Sequence, residues 1–127
     1  MDNIKKEYIV YKVIGNHFRD ITPYYSYCTI GKLELSYALL VETRPKIGGI
    51  FVFKNLRCAK RLGPKNIILK CKSYSSPKRM RVCVSCLKEE LFEDFWNGKK
   101  ISFYNTARTA RGTRIVYDVT PIEVIEG

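Results

Sequence analysis

No aspartate or glutamate occurs between Arg44 and Lys88, although thirteen lysines and arginines do. The 127-residue chain has a formal charge of +11, and that window alone carries +13, so the remainder is slightly acidic. The positive charge is therefore regional. It points to a surface that meets an anion, because solubility alone is served by mixed signs. Long apolar runs are also missing. No stretch approaches the roughly 20 residues that a bilayer-spanning helix needs. The first residues, Met1 to Glu7, are charged and lack the apolar core of a secretion signal. A place in the cytosol or nucleus, away from membranes, is the expectation. Histidine occurs once, at His17 in a turn-like stretch, and reads as an exposed loop residue rather than half of a Cys-His nucleophile pair. Low-complexity segments and internal repeats are absent.

Metal chemistry is poorly provided for. Five cysteines is an odd number, and in a reducing compartment they read as free thiols used as small apolar residues. Cys83-Val84-Ser85-Cys86 is a single CxxC, whereas a zinc ribbon needs two close pairs. Strand alternation would put Cys83 and Cys86 on opposite faces, a poor geometry for one shared ion. No metal and no cofactor are expected.

What is present is enough for a core. The chain is 46% hydrophobic, with nine tyrosines, six phenylalanines and one tryptophan, so one domain over 1–127 should fold without staples. Glu7–Ile14, rich in β-branched and aromatic residues, reads as a strand, and so does Tyr24–Ile30. Leu33–Glu42 is a third candidate strand, with a helix as the alternative. The all-apolar Gly49–Phe53 run predicts a central strand covered on both faces. Asn55 can cap a helix whose stripe is Leu56, Ala59 and Leu62, with Gly63-Pro64 as its stop. Asn66–Tyr74 and Arg79–Cys86 read as a hairpin around Ser75–Lys78. Leu87–Trp96 reads as an amphipathic helix with an acidic first turn, ended by Asn97-Gly98. Ile101–Tyr104 reads as a short strand, Asn105–Thr113 as a polar loop, and Ile115–Val119 and Ile122–Ile125 as strands or as one strand broken at Pro121. The fold class is α+β: a mainly antiparallel sheet with two short helices.

Three sets of cations are candidate anion-binding residues. Arg57, Lys60 and Arg61 share a face of the first helix. Lys70 and Lys72 on one hairpin strand, with Arg79 and Arg81 on the other, would form a cluster of four if both sets point to solvent. Arg108, Arg111 and Arg114 recur at intervals of three among threonines and glycines, whose hydroxyls and amides suit phosphate; an exposed flexible loop explains that spacing equally well. No RRM, KH or helix-turn-helix signature accompanies them, so sequence-specific readout of bases is not expected.

Tyr11-Lys12-Val13-Ile14, then Gly31-Lys32, then Gly49-Ile50-Phe51-Val52-Phe53 with Ala59 in the following helix, then an Ile-Leu-Lys strand, form an order that resembles small uncharacterised domains of bacteriophages and giant DNA viruses. The ending, Gly112-Thr113-Arg114-Ile115 through Thr120-Pro121-Ile122-Glu123, is similar too. The resemblance implies a viral accessory or virion protein, acting in the cytoplasm or nucleus of an infected cell, and points to no particular activity. The Gly-Ile-Phe-Val-Phe strand with its helix also resembles the core of ADP-ribosyltransferases, which implies Tyr11, Lys12 and Glu123 near a nucleotide. Those enzymes place Arg or His on the early strand, where this chain has Tyr11 and Lys12. The functional expectation is a non-enzymatic protein that binds nucleic acid or an acidic protein through its basic face. The rivals are a transferase-like enzyme or its inactive relative, and a minor capsid component.

Overall fold

The computed structural model describes residues 6–14, 37–45, 48–61, 67–84, 89–102 and 106–126. In chain order the elements are β1 (Tyr8–Ile14), β2 (Ile50–Phe53), α1 (Leu56–Lys60), β3 (Ile67–Ser73), β4 (Lys78–Arg79), β5 (Val82–Val84), α2 (Glu89–Trp96), β6 (Thr106–Arg108), β7 (Thr113–Val116) and β8 (Thr120–Glu126). Six strands form one antiparallel sheet in the order β4-β7-β2-β1-β3-β8, and β5 pairs with β6 separately. This is the expected α+β class. Among the described residues no helix is long and apolar enough to cross a membrane.

Alternation along the strands creates two apolar layers. On one face Val10, Ile14, Ile50, Val52, Leu69, Cys71 and Val116 pack with Tyr37 and Val119. On the other, Val13, Phe51, Phe53 and Ile68 pack with Ala59 of α1, and Leu56, Phe95 and Trp96 close over them. Every side chain of β2 is buried, which is why its sequence is apolar without alternation. Full burial of each such side chain contributes about 1.5–3 kcal/mol.

The helix ends follow local rules. Asn55 is extended (φ −138°, ψ 159°), and its Oδ1 accepts the Cys58 N–H at 2.9 Å, capping α1. At the end of α2, Gly98 has φ +78°; its N–H donates to Phe95 O, and the Lys99 N–H donates to Asp94 O at 2.9 Å. This pattern closes the last carbonyls as glycine-terminated helices do. Phe95 and Trp96 meet edge to face at 5.3 Å, and Trp96 tilts on Phe51 at 5.7 Å. Gly48 permits that contact: at φ +69° it lies under the indole, where a β-carbon would overlap the ring.

The 66–86 hairpin is not formed. β3 pairs with β1 and β8, β4 pairs with β7, and three strands separate β3 from β4. Two side chains redirect the chain. Asp118 accepts hydrogen bonds from Ser73 Oγ, Tyr74 N, Ser75 N and Ser75 Oγ at 2.8–3.1 Å, fastening the exit of β3. Thr109 then takes the carbonyls of Met80 (through Oγ1, 2.5 Å) and Arg81 (through N, 2.9 Å), splitting the expected second strand into β4 and β5.

Other boundaries move as well. Within Leu33–Glu42, the described residues form a turn at Leu39-Leu40, with Leu40 at φ +63°, followed by a single bridge from Thr43 to Val119. The left-handed Leu40 interrupts any strand there. Ile101 and Ser102 are not in a strand, while Thr106–Arg108, inside the expected loop, is one, because it supplies β5 with a partner. The last two strands separate at Tyr117–Val119, and Pro121 lies inside β8 at a register shift. Pro121 is tolerated there because β8 is the sheet's edge strand. The expected strand Tyr24–Ile30, together with His17, Leu62 and Cys86, lies outside the described residues.

Candidate anion-binding cleft

A cleft of ≈690 Å³ opens where β2 passes into α1 and where β4, β5, β6 and the start of β7 converge. Among the described residues its lining includes Lys54, Arg79, Arg81, Arg108, Arg111 and Arg114, and no aspartate, glutamate or aromatic residue. Two sequence-distant sets meet here. The β5–β6 pairing, with Val82 opposite Arg108, brings the Arg79–Arg81 stretch beside the Arg108–Arg114 stretch.

The floor is held by backbone. Ala110, Arg111, Gly112 and Thr113 make a tight turn: the Thr113 N–H and Oγ1 both donate to Ala110 O, at 3.1 and 2.5 Å. Gly112 occupies its third position at φ +87°, as a type II turn requires. The Lys54 N–H donates to Gly112 O at 3.2 Å, tying this turn to the exit of β2. Arg111 is exposed at the corner of the turn, and Arg114 Nη1 donates to Thr113 O at 3.0 Å.

Among the described residues none of these six cations forms an ion pair. The ion pairs present join Arg44 to Glu42 and Lys99 to Asp94, away from the cleft. Unneutralised guanidinium groups in one concavity can bind an anion in forked geometry.

The remaining candidates lie elsewhere. Arg57, Lys60 and Arg61 are exposed on α1, whose contribution to the lining is Cys58 and the cap Asn55. Lys70 and Lys72 sit on β3, half-buried, and Lys70 is in register with Glu123 on β8. They do not join Arg79 and Arg81, because β3 and β4 are not neighbours. Lys54 was not singled out: its only signal was membership of the acid-free window, directly after an apolar strand. Thr109 and Thr113 had none, since their work depends on partners far along the chain.

The transferase-like trio is divided. Lys12 is buried, its Nζ donating to Phe51 O at 2.9 Å and lying 5.8 Å from the Tyr37 ring centre. Tyr11, next to it on β1, belongs to the opposite layer, in the same cross-strand row as Lys70 and Glu123. Burial pushes the Cys71 thiol up to about 12, against the opposing influence of Lys12. No protein-family model matches the chain, and no curated protein or solved structure matches it either.

Proposed function

We propose that this protein binds nucleic acid through its phosphate backbone, in the arginine-lined cleft, and catalyses no reaction there. The observation that carries this reading is the convergence of five arginines and Lys54 on one concavity, with no carboxylate among the described residues of its lining. Arginine forks suit phosphate oxygens better than point-charge lysines do. Phosphate contacts confer affinity without sequence preference. The viral resemblance of the sequence fits an accessory or virion protein that handles nucleic acid in an infected cell.

Titrating labelled duplex DNA against the protein from 50 to 200 mM salt tests the reading. Four to six phosphate contacts give a slope of roughly −4 to −5 in log affinity against log salt. Replacing Arg81, Arg108 and Arg111 with serine should reduce the slope by about 2 to 3, whereas Lys70→Ser with Lys72→Ser should leave it unchanged. Absence of binding at low salt, or loss of slope only in the Lys70/Lys72 variant, refutes the cleft. Equal competition by polyglutamate would instead make the partner an acidic protein.

A further inference from the structure

At one edge of the sheet two like charges are paired. The β4–β7 register sets Arg79 directly opposite Arg114, and such partners stand side by side with β-carbons about 5 Å apart. Like charges in that position destabilise a sheet. At the other edge a charged rung is complementary instead, with Lys70 opposite Glu123. Arg79 and Arg114 both line the cleft, and among the described residues neither meets a carboxylate. Arg114 spends one donor on Thr113 O, while a guanidinium has five. The rung is also held firmly: Thr113, beside Arg114, is buried and bonded twice to Ala110 O.

We infer that Arg79 and Arg114 are a clamp for one phosphoryl group, the anchoring subsite of the cleft; the inference rests on the phosphate reading above. A tetrahedral phosphoryl group offers oxygens to two forks at once, whereas a carboxylate presents its two coplanar oxygens to one fork. Anion binding converts the repulsive rung into a bridged one. Among the described residues the lining holds no aromatic ring on which a base could stack, which favours the phosphoryl group as what the clamp grips. It reaches the clamp as the terminal monoester of a strand or as an internal diester. The double positive charge of the clamp matches a dianionic terminal monoester.

The test uses the whole protein and inorganic phosphate. At matched ionic strength, phosphate at ten times its dissociation constant should raise the melting temperature by about 5 °C over chloride. Arg79→Ser should melt no lower than the parent protein in chloride, because the repulsion is relieved, and should lose the phosphate shift. An arginine with a merely structural role would give the opposite pattern, a lower melting temperature with the shift retained. Arg79→Lys should keep only part of the shift, since it retains the charge and loses the fork. Oligonucleotides with and without a 5′-phosphate then distinguish the sources. Tighter binding of the phosphorylated strand, lost in Arg79→Ser, places a terminal monoester in the clamp. Equal binding of the two, weakened alike by Arg79→Ser, places an internal diester there. A phosphate effect no larger than chloride's, or one that survives Arg79→Ser, overturns the clamp. If DNA still binds both proteins with the same salt slope, the clamp alone fails; if DNA binds neither, the cleft reading fails with it.

Discussion

Gly112 and Cys58 are in such close contact that a β-carbon on the glycine would lie 2.6 Å from the Cys58 Sγ. The contact joins the Ala110–Thr113 turn to α1 and so sets the height of the cleft floor. Two separate reasons favour glycine at this position: the space beside Cys58 and the φ of +87°.

Gly112→Ala is therefore expected to destabilise the protein by about 1–3 kcal/mol. Adding Cys58→Ala should recover the part due to contact with Sγ and leave the part due to φ and to the β-carbon at position 58, which would still lie 2.8 Å away. Urea midpoints of the two single variants and the double variant separate the two contributions. An unchanged midpoint in Gly112→Ala would show that the turn tolerates a side chain.

Asp118 should be a pH-dependent fastener. Burial alone would raise its pKa, but the hydrogen bonds from Tyr74, Ser75 and Ser73 outweigh burial and hold the carboxyl below the ordinary 3.8. The unfolded chain then binds the proton more readily than the folded one. This contribution to stability is complete above the ordinary value and is lost as pH falls through the lowered one. Asp118→Ala should cost roughly 2–3 kcal/mol at pH 7, because one buried and three half-buried donors lose their shared acceptor. The gap in melting temperature between parent and variant should stay constant from pH 7 to 5 and narrow below about pH 4. A gap that widens on acidification would rule out this role.

Cys71 should resist alkylation. Its thiol is buried, donates to Leu69 O at 3.5 Å and is raised to about 12, so almost no thiolate exists at pH 8. Peptide mapping after iodoacetamide treatment should find Cys71 unmodified in the native protein and fully modified in denaturant. Half-buried Cys58 at the cleft should be labelled before Cys71. Native-state labelling of Cys71 at the rate of Cys58 would contradict the placement of β3.

Much of the local structure was legible because its causes are local. The Ile50–Phe53 run had no polar residue to turn outward and so belonged in the middle of a sheet. Asn55 and Asn97-Gly98 marked helix ends through their own backbone and side-chain chemistry. Lys54, however, became a cleft residue only through the convergence of four other elements around it.

By itself the sequence determined that a basic region with no acids would exist, that strands would outnumber helices, and where α1 begins and α2 stops. Only the tertiary structure decided which cations act together. A strand's alternation specifies its faces but not its neighbour, and here Asp118 and Thr109 diverted the chain from the hairpin that proximity favoured. Lys70 and Lys72 were thereby left beside β8. Arg79 and Arg81 were carried to the far edge of the sheet, where the long-range β4–β7 and β5–β6 pairings set them among Arg108, Arg111 and Arg114.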